Sequence, residues 1–324
     1  MNNDKLVDLR RQLETLLINS KEPNTVKKYI EGYKKWKQWA SKFQEICIMP
    51  ASPAHVALFI ASLFQDGVPY SSIESAFYGI SWCHKLCGDR NPTDSSMVKL
   101  ALQAVKRKQS RAKCPKQPIT VECLKTLCRQ FGGQKTSLLN LRFVAMSLLA
   151  FYGFFRYDEL SKIRTKNVSF AEDHLVIHVE KSKTDVFREG NKVFIAATKT
   201  EICPVEMLKR YFVEAKLNDD PNEFFIFRKI SSRKKGQRLC ATNTKLSYQR
   251  GLSILKQKLS EIGYDPKAFG LHSFRSGGAT LAANSGVPDR IFKRHGRWRS
   301  ETAKDMYVQD DLESLLMVTR KISF

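Results

Sequence analysis

Through the first hundred residues, apolar positions recur at helical spacing. Leu6, Leu9, Leu13, Leu16 and Leu17 share one face of a first helix. Val26, Tyr29, Ile30, Tyr33, Trp36, Ala40 and Phe43 mark a second, opened by Asn24 or Thr25. Ser52-Pro53 reads as an N-cap with proline at the first helical position, where the missing N–H does no harm. Val56, Phe59, Ile60, Leu63 and Phe64 line the helix behind it, and Gly67 ends it. Ser71 and Glu74 have capping-box spacing and open a fourth helix; a fifth runs from about Ser95 to Lys108.

The pattern then breaks. Lys106, Arg107, Lys108, Arg111, Lys113 and Lys116 crowd a stretch that ends in Cys114-Pro115-Lys116-Gln117-Pro118, and the prolines resist helix continuation. This predicts an exposed basic linker, suited to following a phosphate backbone; a solvated tether is the plainer reading. Helices resume over Val121 to Phe131 and Ser137 to Tyr152. Next the period shortens to two: Leu175, Ile177 and Val179 alternate with His174, Val176, His178 and Glu180, and Val193, Phe194 and Ile195 form a return strand. Lys181-Ser182-Lys183-Thr184-Asp185 lies between them, giving a β-hairpin with a basic tip. Everything after Cys203 reads as mainly helical. The expected fold is mainly α: a helical domain over 1–110, a linker over 111–118, and a mixed α/β domain over 119–324 with a small antiparallel sheet.

Composition narrows the partner. The chain has 324 residues, of which 42% are hydrophobic, enough for a core. A net charge of +23 repels itself and calls for an anionic partner, with nucleic acid ahead of a membrane surface. No apolar run is long enough to span a bilayer, and Met1 to Leu16 has no signal-peptide core. The expectation is an intracellular protein, nuclear in a eukaryotic host and cytoplasmic otherwise. The basic run between Arg228 and Arg238 reads equally as a nuclear signal or a DNA-facing loop. Eight cysteines in such a chain are expected to be reduced. Cys83, His84 and Cys87 lack a second Cys/His pair at zinc spacing and read as part of a helix. Neither a phosphate loop nor an internal repeat is present.

Cutting a phosphodiester requires a nucleophile, stabilisation of the non-bridging oxygens and a proton for the leaving oxygen. Carboxylate-held metals supply these in some enzymes, a side-chain nucleophile in a cage of cations in others. The cationic route has the better candidates. Gly153-Phe154-Phe155-Arg156-Tyr157-Asp158-Glu159-Leu160 resembles the first arginine box of the tyrosine recombinases, or phage integrase family. His272-Ser273-Phe274-Arg275 is similar to the family's H-x-x-R box, followed by Gly278-Ala279-Thr280. Tyr307 stands near the C-terminus with Trp298 nine residues before it, where the family has a histidine or tryptophan. Lys183 best fits the family's hairpin lysine, with Lys181 as its competitor. His295 is three residues off the family's position and is set aside. Phe154-Phe155 is bulkier than the family's usual pair, and Gly296-Arg297-Trp298 is similar to recombinases of eukaryotic mobile elements.

The resemblance spans nearly the whole chain. It implies a helical SAM-like core-binding domain followed by a catalytic domain, with double-stranded DNA held between them. Under it, Arg156 and Arg275 present planar forks of donors to one phosphate, and Tyr307 attacks. His272 helps take the proton, Lys183 protonates the leaving 5′ oxygen, and Trp298 donates an indole hydrogen bond and packs beside the nucleophile. Glu159 orients His272 or an arginine. Neither a metal nor a cofactor is implied, and the working assembly is a homotetramer on two DNA sites. Leu312, Leu315, Leu316 and Val318 form an apolar tail that either docks on a neighbour or folds back. Each residue alone has a plainer reading: Arg156 as a partner of Glu159, His272 as an idle helix-end histidine, Trp298 as core. Three rival functions remain: a domesticated recombinase that only binds DNA, a type IB topoisomerase, and a basic helical RNA-binding or scaffold protein.

Overall fold

The computed structural model describes residues 3–110, 115–180, 190–220, 223–233, 236–310 and 312–322. The chain divides into two compact units, Met1–Lys113 and Cys114–Phe324.

The first unit is helical: α1 (Asn3–Asn19), α2 (Pro23–Ala40), α3 (Pro53–Gln65), α4 (Tyr70–Cys87) and α5 (Ser96–Gln109). Trp36, Phe59, Ile60, Ile73, Ile80 and Val98 form its core. Two helix starts differ from expectation. Pro23 opens α2 ahead of Asn24, because proline's fixed φ suits the first turn. Pro69 precedes α4, and Glu74 accepts from the Tyr70 hydroxyl at 2.7 Å instead of closing a capping box with Ser71. The apolar face of α1 stays outside this core, with Leu6, Leu9, Leu13 and Leu16 exposed. His84 is buried, its Nε2 accepting from the Ala51 N–H at 2.9 Å and its Nδ1 donating to the Ile80 carbonyl at 2.8 Å, so both ring nitrogens are taken by backbone.

The second unit begins earlier than the linker reading placed it. The Gln117 N–H donates to the Ala268 carbonyl and the Ile119 N–H to the Ser273 carbonyl, each at 2.9 Å. The Lys116 ammonium reaches the Lys267 carbonyl. These bonds fix the end of the predicted linker to the second unit. The elements that follow are α6 (Val121–Phe131), α7 (Leu138–Tyr152), α8 (Tyr157–Ser161), β1 (Val168–Phe170), β2 (His174–Val179), β3 (Asn191–Ala196), α9 (Pro204–Glu214), β4 (Ile230–Arg233), β5 (Gly236–Leu239), α10 (Tyr248–Glu261), α11 (Ser273–Asn284), α12 (Asp289–Gly296), α13 (Glu301–Asp305) and α14 (Leu312–Ile322).

β1, β2 and β3 form an antiparallel sheet in that order, with Val168 opposite Ile177 and Leu175 opposite Ile195. The period-two pattern works as expected, since Leu175, Ile177 and Val179 are buried. β1 and the β4–β5 hairpin were not anticipated. β1 is three residues long, and β4–β5 is polar throughout apart from Ile230 and Leu239, so neither carries an apolar alternation. Apolar on nearly every side, α7 runs through the centre of the unit.

α11 lies against α7 through Gly277 and Gly278. A Cβ on Gly277 would fall 2.0 Å from the Ile119 carbonyl oxygen, and one on Gly278 equally close to that of Phe151. This approach delivers Arg275 to the C-terminal end of α7. Gly278→Ala is therefore expected to lower stability by roughly 1–3 kcal/mol through overpacking, measured as a shift in urea midpoint. An unchanged midpoint would show that the helices separate freely.

Candidate active site

α7 ends at Gly153, and the chain turns through Phe154 in the left-handed region (φ 47°) before Arg156 caps the N-terminus of α8. Such a conformation is uncommon for a residue with a side chain, and strain of this kind, of order 1–3 kcal/mol, persists only where the surroundings enforce it. Here the turn aims the Phe154 carbonyl at two arginines. It accepts from Arg275 Nη1 and, at 2.9 Å, from Arg297 Nη2.

Glu159 sits in the first turn of α8 and faces three guanidinium groups. Its Oε1 accepts from Arg156 Nη1 at 2.7 Å, while its Oε2 accepts from the Arg156 N–H and from Arg297 Nη2, each at 3.0 Å. Burial would raise the carboxyl's pKa; Arg297, Arg156 and Arg275 together outweigh that and leave it below the ordinary value. Glu159 thus bonds both Arg156 and Arg297. The plainer reading of Arg156 as its partner describes the first of these pairs.

Arg275 comes from α11 and is fully buried, with Nη2 donating to the Gly296 carbonyl at 2.7 Å. Burial, then Arg156 and Arg297, press its pKa downward. Its guanidinium stacks between two rings, 4.8 Å from the Trp298 centroid and 4.7 Å from that of Tyr307. Gly296 makes room for this stack, because a Cβ there would lie 1.8 Å from the Trp298 ring. Trp298 also packs on Phe292 and Phe154. Its indole Nε1 is buried and has no acceptor among the described residues.

Tyr307 follows α13 and is half-buried. α11 grips it by the backbone: the Ser276 hydroxyl donates to its carbonyl at 2.8 Å and that of Thr280 at 3.3 Å, while Thr280 Oγ1 accepts from the Gln309 N–H. The Tyr307 ring lies 5.8 Å from that of Trp298 and 6.5 Å from that of His272, which is exposed at the start of α11. Arg156, Glu159, His272, Arg275, Trp298 and Tyr307 are therefore brought together. Lys183 lies outside the described residues. His295 is tied to the backbone: its Nε2 donates to the Tyr152 carbonyl at 2.8 Å, and burial lowers its pKa toward the neutral form.

The basic run of the first unit splits. Lys106, Arg107 and Lys108 are exposed on the last turn of α5, Lys106 over the Tyr70 ring and Lys108 over that of Phe64. Lys116 is exposed in the second unit, while Arg111 and Lys113 lie outside the described residues.

The profile of the phage integrase family matches residues 123–313, which take in every member of the cluster. An integrase/recombinase xerD homolog from Selenomonas ruminantium is 30% identical over 313 residues, covering 95% of this chain and 87% of its own. The chain belongs to the phage integrase family, the tyrosine recombinases. Solved structures share the fold at low identity. XerH site-specific recombinase bound to a palindromic difH substrate aligns with a TM-score of 0.58 and 13% identity, over 92% of this chain and 77% of that one. A Tn1549 transposon integrase in complex with a circular intermediate DNA aligns at 0.60 and 14%, over 96% and 98%.

One member of this recombinase's cluster escaped sequence reasoning. Arg297 is buried and in the left-handed region, donating through Nη1 to the Gly153 and His295 carbonyls at 3.1 and 2.8 Å. The only signal was its place inside Gly296-Arg297-Trp298; an arginine's burial is not visible in one sequence.

Removing the carboxylate tests the cluster. Glu159→Ala strands buried guanidinium groups and is expected to destabilise by ~3–5 kcal/mol at neutral pH. Because the Glu159 carboxyl is held below its ordinary pKa, its contribution is complete above about pH 4.3 and is lost as pH falls through the lower folded value. Urea melts of both proteins should therefore converge in acid; a constant gap would contradict this electrostatic role.

Proposed function

We propose that the protein is a site-specific DNA recombinase that cuts and rejoins strands through a 3′-phosphotyrosine at Tyr307. The observation carrying this is the stack of Tyr307 on Arg275, 4.7 Å from guanidinium carbon to ring centroid, beside the Arg156–Glu159 pair. The cluster holds three guanidinium groups against one carboxylate, an excess of positive charge at the nucleophile that fits a phosphate and its pentacovalent transition state.

In the reaction, Tyr307 Oη forms a bond to phosphorus and the P–O5′ bond breaks. His272 receives the phenolic proton and Lys183 supplies one to O5′. Arg156 and Arg275 hold the non-bridging oxygens, and the indole N–H of Trp298 takes a further one as acceptor. A 5′ hydroxyl from the partner strand reverses the steps. One phosphate ester replaces another, so no ATP is consumed. DNA is also the partner of the exposed Lys106, Arg107, Lys108 and Lys116, to which we add Arg111 and Lys113.

The proposed assembly is a homotetramer on two sites. Leu312, Leu315 and Leu316 of α14 are exposed rather than folded back, while the side chain of Val318 lies outside the described residues. On the same unit an open apolar groove of about 360 Å³, lined by Leu281, Ala282, Val287, Ile291 and Phe292, has the character to receive such a helix from a neighbour. A binding-only descendant would have no need of Tyr307 stacked on Arg275, and a monomeric topoisomerase no need of α14.

The test is a nicked duplex whose cleaved fragment diffuses away, incubated with the protein and resolved on a denaturing gel. Wild type is expected to give a protein–DNA adduct, and Tyr307→Phe to bind DNA without forming one. Binding should weaken steeply with salt, by roughly 10³-fold or more between 50 and 200 mM if six or more phosphates are contacted. An adduct that survives in Tyr307→Phe, or none on any matched site, contradicts the proposal.

A further inference from the structure

We infer that Arg297 is a positioning residue for strand cutting, setting where Arg156 and Arg275 stand through the two acceptors it shares with them. This rests on the recombinase reading above. One acceptor is Glu159 Oε2, whose other oxygen holds Arg156; the second is the Phe154 carbonyl, which also holds Arg275. Arg297 thus touches the anchors of both arginines.

The backbone supports the inference independently. Arg297 is the C-cap of α12 with φ 56° and ψ 40°, a place where helices ordinarily use glycine. Glycine would serve the turn and avoid the strain, so the cap does not explain the arginine. Burial does not explain it either. The side chain is 3% exposed, and an apolar residue of similar size satisfies packing without desolvating a guanidinium. What arginine adds is a planar fork that spans one carboxylate and three carbonyls in a fixed geometry, against the Phe155 ring. The charged and titratable groups facing this centre are Glu159 and Arg156 at the start of α8, Arg275 from α11 and His295 from α12, with Tyr307 beyond Arg275.

A merely structural arginine and a positioning one separate in kinetics. Arg297→Gly keeps the left-handed cap and removes only the side chain. Single-turnover adduct formation on the nicked duplex, at saturating protein and across pH, is expected to slow by about 100-fold. DNA affinity should stay within about threefold of wild type, since the loss is made in the transition state. The acid limb of the pH–rate profile should move to higher pH, because Glu159 loses one of the cations holding it ionised. Arg297→Lys, a point charge without the fork, should restore the acid limb but not the full rate. Folded Arg297→Gly that cleaves at the wild-type rate with an unmoved acid limb overturns the inference. If that variant does not fold by circular dichroism, Arg297→Lys decides: slowed cleavage at wild-type affinity and melting supports positioning, and a wild-type rate refutes it. Absence of an adduct with wild type would instead overturn the recombinase reading, and this inference with it.

Discussion

The site depends on one buried carboxylate. Glu159 faces Arg156, Arg297 and Arg275, and among the described residues it is the carboxylate set against all three. With no carboxylate, three guanidinium groups would repel and desolvate one another, and the cluster would open. A second would halve the excess of positive charge and weaken the pull on phosphate. A single carboxylate leaves the cluster assembled yet in positive excess, so holding the cage together and preparing it for an anion are the same electrostatic fact.

The backbone is bent to serve that arrangement. Phe154 and Arg297 both occupy the left-handed region, one at the end of α7 and the other at the end of α12. The Phe154 carbonyl accepts from Arg275 and Arg297, and the Gly296 carbonyl, just before Arg297, accepts from Arg275. Close helix packing adds the remaining constraint. Gly277 and Gly278 let α11 reach α7, and the same helix grips the Tyr307 backbone through Ser276 and Thr280. One helix thus carries Arg275 and fixes the Tyr307 backbone, which ties the two to a common support.

Much of this was legible in the sequence. Helix and strand periods located α6, α7 and β2–β3, because their faces are amphipathic or uniformly apolar. Arg156, His272, Arg275, Trp298 and Tyr307, picked out by their order along the chain, are brought together by the fold. What stayed hidden was polar or partnered. The β4–β5 hairpin has no apolar alternation to detect, and α1 shows a clear apolar face that its own unit does not bury. Arg297 looked like one more basic residue in a chain of net charge +23, since sequence does not show which arginine is desolvated. Nor did the sequence show which rings, those of Phe154, Phe292 and Tyr307, pack around Trp298.

The central claim, that the cluster exists to make Tyr307 a nucleophile toward DNA, is tested most directly by locating the covalent bond. Protein trapped on a nicked duplex is digested, and the nucleotide-bearing peptide is sequenced by tandem mass spectrometry. The account predicts a phosphate ester on Tyr307 linked to the 3′ end of the cut strand. Linkage through another tyrosine, or to a 5′ phosphate, would contradict it.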